Sequence, residues 1–284
     1  MNPLEILHRT PKTNCGECGY PACLAFAAAV SRAGAEITLC PYIDLQGLEM
    51  RTSNSTKGDL ADLGEHMAEK HDLALIKHLQ YKVSRLDFSS IANALGAKWN
   101  KDNPDVLHLR YLGQNVILGK AKILMDDDTI VDPRDQILLY NYVHSCGGRK
   151  PDNIWIGMES LPNSISKVKT LATYCEMKIA EHLSGKPARI LHDLGGQLDG
   201  YEGPADLSSS ATSSIVVPVL PMVPQYLLFW EEEPDDGFAP KAKVLFDHHV
   251  LDFLDLESLV FSAERFAERL VLLLTKMSNV KHVS

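Results

Sequence analysis

Four of the six cysteines of this 284-residue chain fall in one short stretch, KTNCGECGYPACLAFAAAVSRAGAEITLCP. They are spaced Cys15-x2-Cys18-x4-Cys23-x16-Cys40, and Pro41 follows the last. Three thiols set close together can wrap one face of a metal centre, and the fourth must return from a distance. A helix over residues 22 to 33 plus a turn supplies that return and carries Cys40 back towards the loop. Gly16 and Gly19 permit positive φ and let backbone N–H groups approach the sulfurs. Such N–H···S contacts are one lever on the potential of an iron–sulfur cluster. Zinc also takes four cysteines, and reduced free thiols are a third reading. The x2 spacing alone leaves these open.

Composition narrows the setting. The formal net charge is -9, which argues against a nucleic-acid backbone as the main partner, because phosphate binding needs a basic face. Residues 1 to 40 carry Arg9, Lys12 and Arg32 against Glu5, Glu17 and Glu36, so the acidic excess lies downstream. The opening MNPLEILHRTPK has no apolar h-region, and the apolar run ACLAFAAAV is far shorter than the roughly 20 residues that span a bilayer. The expectation is a cytoplasmic protein with no membrane span. In that compartment clustered cysteines are more often metal ligands than disulfides. A piece of about 45 residues rarely buries enough apolar surface to fold alone, so metal binding and folding are expected to be one event there.

Outward from the cysteines, residues 3 to 9 read as a short helix ended by Pro11. RTSNSTKGD, residues 51 to 59, is polar and marks a linker. The expected division is a cluster module over 1–45, a linker and helix start over 46–68, and a larger domain over 69–284. Across the start of that domain Leu63, Met67, Leu75, Leu79, Val83 and Leu86 recur with helical period. DVLHLRYLGQNVILGKAKILMDDDTIV alternates apolar and polar residues, with turn signals at Gly113-Gln114 and Gly119, and predicts two or three antiparallel strands. Pro133 opens a helix that closes at Gly147-Gly148. NIWIGME reads as a strand, and residues 165 to 184 as a helix closed by Gly185. A glycine-rich loop covers 195 to 204. SIVVPVLPMVP is punctuated by proline, so its strands are expected to be short or at an edge. QYLLFW and AKVLFD are strands separated by the acidic turn EEEPDDG. Leu256, Leu259, Val260, Ala263, Phe266, Ala267, Leu270, Val271 and Leu274 form the stripe of a last helix, with Asp255 as its N-cap. Without a regular βαβ alternation the fold class is α+β: a small helical cysteine-ligated module, then a mixed domain with mostly antiparallel sheet.

The pattern N-C-G-x-C-G-x-x-x-C-x-x-F-A followed by C-P resembles the 4Fe-4S module of corrinoid iron–sulfur protein large subunits, over about residues 4 to 43. A similar module occurs in an Rnf-type electron-transport subunit. The resemblance implies a 4Fe-4S cluster with Cys15, Cys18, Cys23 and Cys40 as ligands, and one-electron transfer or redox-dependent regulation as the role. It implies a redox protein partner, with electrons passing to a corrinoid or other anaerobic enzyme. No corrinoid-binding motif follows, so corrinoid reduction would run through that partner. The rival readings are a structural zinc-bearing interaction module, and an enzyme whose cluster feeds a site in the larger domain. LPMVPQYLLFWEEEPDDGFAPKAKVLFDHHVLDFLDLESL resembles a prokaryotic family of unknown function found in anaerobes, over roughly 70 to 275. That likeness brings no catalytic residues.

Other residues invite sharper readings. Glu231, Glu232, Glu233, Asp235 and Asp236 crowd one turn, with Asp247, His248 and His249 at the end of the next strand. Together they suggest a second metal, against the plainer reading of a solvated hairpin turn. His144 and Cys146 sit at a helix end beside Gly147-Gly148, where a buried cysteine is commoner than a reactive one. Cys175, Trp155 and Trp230 read as core. His71, on an apolar helix face, reads as a packed histidine. LGGQLDGYEGP lacks the strand-GxGxxG-helix context of a nucleotide loop, although Asp199 or Asp206 could shape a ligand loop.

Overall fold

The computed structural model describes residues 3–13, 15–20, 22–32, 35–44, 72–125, 129–187, 189–233 and 237–280. The polar stretch 51–59, Gly34, Leu63, Met67, His71, Asp235 and Asp236 lie outside the described residues. The chain divides into two compact units, Met1–Ala61 and Asp62–Ser284.

In the first unit, α1 (Pro3–Arg9) packs against α2 (Cys23–Arg32), and a 3-10 turn over Ile37–Leu39 leads to Cys40. Ile6, Phe26 and Ala27 are fully buried between them. The Tyr20 ring leans on Phe26 with centroids 5.7 Å apart. Thr10 closes α1 by donating its hydroxyl to the Leu7 carbonyl at 2.8 Å. The module is then tied end to end: the Asp44 amide donates to the Arg9 carbonyl at 2.9 Å, and the Arg9 guanidinium donates to the Asp44 carbonyl at 3.3 Å.

The second unit opens with helix α3, described over 72–83, and α4 (Phe88–Ile91), whose N-cap Asp87 accepts from the Ser89 amide. Ile76, Leu79 and Val83 are the buried stripe of α3. A first antiparallel sheet runs β1 (Lys98–Trp99), β2 (Val106–Tyr111), β3 (Gln114–Gly119) and β4 (Ile123–Met125), in that spatial order. The β2–β3 turn uses Leu112 and Gly113, with φ of 47° and 75°, the positive pair that suits the twist of a tight hairpin. Helix α5 (Pro133–His144) starts at N-cap Asp132, which accepts from the Arg134 amide.

The second sheet has the order β5-β8-β7-β6, all antiparallel, built from β5 (Trp155–Gly157), β6 (Ser213–Leu220), β7 (Val223–Trp230) and β8 (Lys241–Asp247). Between β5 and β6 lie α6 (Ile165–Leu171), a π-turn over Ala172–Glu176, α7 (Met177–Leu183), α8 (Arg189–Gln197) and α9 (Ala205–Ser208). Helix α10 (Leu256–Val280) ends the described chain, with Asp255 accepting from the Ser258 amide at 2.7 Å. Its Leu259, Val260, Ala263, Phe266, Ala267, Leu270 and Leu274 are buried as its sequence stripe requires. The fold is α+β with two antiparallel sheets.

One local expectation is met and one changes. The proline-punctuated strand β6 lies at an edge, as expected, although it and β7 each run eight residues. Pro218 is tolerated because β6 is an edge strand, with a register shift at Pro218/Leu220 and Pro224 as its cross-strand partner. Residues 195 to 197 are not loop but the end of α8. Gly195 is there for packing, since a Cβ would come within 1.8 Å of the Ile215 side chain.

One charged cluster in the second unit is centred on a buried carboxylate. The Asp135 carboxylate accepts from the Tyr111 hydroxyl at 2.7 Å and from Arg265 Nε and a terminal guanidinium nitrogen, both at 2.6 Å. Arg265 also donates to Glu268 at 2.5 Å. Burial and the Asp135 charge raise the Tyr111 hydroxyl well above its ordinary pKa.

Candidate metal centre

The four clustered cysteines occupy the loop before α2, the first residue of α2 and the residue after the 3-10 turn. None of the four is in a disulfide; Cys23 and Cys40 are buried, Cys18 is half-buried and Cys15 is exposed. The loop turns at Gly16 and Gly19, with φ of 77° and 83°. The Gly19 amide donates to the Gly16 carbonyl at 2.9 Å. A Cβ at Gly19 would meet nothing within 4 Å, so the backbone angle rather than close approach calls for glycine there.

Tyr42 shows that the chain does close. Its hydroxyl donates to Glu17 Oε2 at 2.9 Å across 25 positions of sequence. The hydrogen bond and charge of Glu17 raise its pKa, and the thiols of Cys15 and Cys40 push the same way. Among the described residues, no three of these cysteines bring their sulfurs within 4.8 Å of one another. Four sulfurs on a single zinc at 2.3 Å would sit about 3.8 Å apart. Leu24, Leu39 and Tyr42 are exposed on this unit. Glu17 and Tyr42 carry no ligand signature in the sequence; an aromatic residue two places after the last cysteine is the available signal.

The remaining sequence candidates separate. Cys175 is fully buried, and burial, reinforced by Glu176, raises its thiol pKa well above the usual range. Cys146 is half-buried rather than buried, in a positive-φ position of 61°, and its sulfur lies 3.5 Å from the His144 carbonyl. His144 is exposed. Trp155 is core, packed on Tyr226 with centroids 5.2 Å apart. Trp230 is only partly buried, with the Lys241 ammonium 5.6 Å from its ring centre. Asp199 is engaged in a two-point ion pair with Arg110, at 2.7 and 2.8 Å, so it shapes structure rather than an open ligand loop. Asp206 is exposed in the first turn of α9.

The acidic turn and the histidines do not form one site. Glu231 to Glu233 lie at one end of β8, and His248 and His249 follow its other end. Seven strand residues put roughly 20 Å between them. The histidines instead meet Asp152, which sequence reasoning missed: His248 Nδ1 is 3.3 Å from Asp152 Oδ1, and His249 Nε2 is 3.7 Å from Asp152 Oδ2.

Comparison with known proteins follows this division. Residues 87–269, well over half of the chain, match the family described as "Domain of unknown function (DUF3786)". The chain belongs to the DUF3786 family. Ahead of the DUF3786 domain, residues 11–42 match a second family, described as "Putative Fe-S cluster". That segment is 52% identical over 43 residues to the corrinoid/iron-sulfur protein large subunit of Moorella thermoacetica, covering 15% of this chain and 10% of that protein. It is 48% identical over 40 residues to the acetyl-CoA decarbonylase/synthase complex subunit gamma 2 of Methanosarcina mazei, covering 14% and 8%. It is also 34% identical over 58 residues to a subunit of the ion-translocating oxidoreductase complex of an Azoarcus species, covering 17% and 32%. The chain thus spans about a tenth of the length of the first two relatives. No solved structure matches it. The matches support an iron–sulfur cofactor in the first unit and a redox role. No helix among the described residues is long and apolar enough to cross a membrane.

Proposed function

We propose that this chain is a 4Fe-4S protein that moves single electrons to and from a protein partner, with Cys15, Cys18, Cys23 and Cys40 as the cluster ligands. The observation that carries the reading is the match of the segment holding all four thiols to an iron–sulfur family, together with the Tyr42–Glu17 bond that brings the chain after Cys40 back to the loop of Cys15 and Cys18. When bound, the cluster supplies reversible one-electron chemistry. The chain's own part is to hold it. Cys23 and Cys40 anchor the buried side, Gly16 and Gly19 turn the loop, and the Glu17–Tyr42 bond fastens the loop to the turn after Cys40.

The relatives named above are subunits of multi-protein complexes, which supports a redox protein as partner and a corrinoid or other anaerobic enzyme as acceptor. Six cysteines outside any disulfide fit a reducing, cytoplasmic setting. In this reading the cluster module, its linker and the DUF3786 domain are separate functional pieces, the last recognising the partner.

The test is anaerobic purification with iron, sulfide and zinc analysis, and visible spectra before and after dithionite. About four irons and four sulfides per chain, with absorbance that bleaches on reduction, support the reading. A colourless protein carrying about one zinc, or a cluster inert across the accessible potentials, would sink the electron-transfer role.

A further inference from the structure

We propose that Asp152, His248 and His249 form a second metal site, taking one zinc-type divalent ion, where the loop before β5 meets the turn after β8. The three side chains offer two imidazole nitrogens and one carboxylate oxygen, all within 4.8 Å of one another. This donor set suits zinc and its neighbours better than calcium or magnesium, which want oxygen. Ligands held 2.0–2.1 Å from a tetrahedral ion lie about 3.3 Å apart. The two imidazole-to-carboxylate separations, 3.3 and 3.7 Å, are close to that spacing.

The surroundings are built to hold these ligands. Asp247 is 1% exposed. Its carboxylate accepts from the amides of Asp152 at 3.0 Å, Asn153 at 2.8 Å and His249 at 2.9 Å. One buried side chain thereby fixes two loops that are 95 positions apart. The His248 amide donates to the Ile154 carbonyl at 3.0 Å, continuing the β5–β8 pairing through the site. Asn153 adopts φ of 64° to make the turn.

Charge and satisfaction point the same way. Asp152, Asp247 and Asp252 supply three carboxylates beside the imidazoles. Arg149, bound to Asp252 at 2.8 and 2.9 Å, is the guanidinium set against them. His248 Nδ1 is buried and makes no hydrogen bond among the described residues; its approach to Asp152 lacks hydrogen-bond geometry. A buried imidazole nitrogen left in this way is costly, and a cation shared with Asp152 satisfies it. The Asp152 and His248 side chains are 43% and 29% exposed, while His249 is 15% exposed. A fourth position therefore faces water, and three protein ligands with an open position are the arrangement of an exchangeable or catalytic zinc rather than of a closed structural one.

The test uses the full chain with its cysteine-held group in place, treated with chelator and then dialysed against Zn2+ under anaerobic conditions. We expect the native chain to take up one equivalent more than the His248→Gln/His249→Gln variant. Asp152→Asn, a change at a partly exposed loop position, should weaken uptake about tenfold or more while leaving the thermal melt in place. Co2+ as probe separates this site from the cysteines. Visible ligand-field bands without near-ultraviolet sulfur-to-cobalt charge transfer mark nitrogen and oxygen ligands. Equal zinc uptake by the native chain and a folded Asp152→Asn variant would overturn the proposal, as would cobalt bands carrying sulfur charge transfer alone. Either result is independent of whether the cysteines hold iron or zinc.

Discussion

Asp135 offers the sharpest test of how the DUF3786 domain is held together. Its carboxylate is 8% exposed and receives three hydrogen bonds, from Tyr111 and twice from Arg265. In Asp135→Ala the guanidinium, itself 18% exposed, loses its two-point partner and the Tyr111 hydroxyl loses its acceptor. Breaking a buried pair from one side costs about 3–5 kcal/mol, because the remaining charge stays buried. The bond from Arg265 to Glu268 survives and keeps the expected loss at the lower end of that range. Removing the whole cluster as Tyr111→Phe, Asp135→Leu, Arg265→Met should be close to neutral, since desolvation of the ions is then avoided. The assay is urea unfolding of the full chain at pH 7, followed by circular dichroism and thermal melting. The single variant should lower the domain's Tm by about 6–12 °C, and the triple variant should restore most of it. An Asp135→Ala protein within about 1 kcal/mol of native, or a triple variant as damaged as the single one, would refute the reasoning.

Three further outcomes are expected. Burial raises the Glu176 carboxyl above its ordinary pKa; a raised carboxyl contributes stability below about pH 4.3 that is lost as pH rises through the folded value. Glu176→Gln should therefore gain on the native chain in melting temperature between pH 4 and pH 8, and a difference that is flat with pH would contradict this. Gly113→Ala should cost about 2–4 kcal/mol by urea titration, because φ is 75° and the new Cβ would come within 2.1 Å of the Gln197 carbonyl oxygen. Native-state alkylation followed by mass spectrometry should label Cys146 and spare Cys175. In protein stripped of its cluster, Cys15 should react ahead of Cys23 and Cys40, and uniform labelling of the four would count against the described burial.

Sequence revealed those parts of the molecule whose partners are local. The cysteine spacing, the stripe of α10 and the alternation in β2 and β3 are each set within one segment, so pattern suffices. The glycines of α8 misled because Gly195 is chosen for contact with Ile215, a residue on β6. β1 is two residues long and owes its existence to β2. Asp152 was invisible as a partner of His248 and His249 because only the antiparallel register of Trp155 with Asp247 brings them together. The role of Tyr42 was hidden likewise, since its link to Glu17 depends on the turn back from α2.

The π-turn at Ala172–Glu176 has a consequence for the length of this chain. A π-turn holds one more residue than a regular turn. Deleting any one residue there would leave an acceptable α-helix, and no backbone hydrogen bond need be lost. The residues of a π-turn each wind by less than the 100° of a regular helix, so the turn absorbs one residue and the flanks keep their facing. A chain one residue shorter there would still present Ile179, Ala180 and Leu183 to the core, where they are now buried. A second deletion would have no such slack and would turn them away by about 100°. The helix thus carries one spare residue between Ile165 and Leu183 and no more.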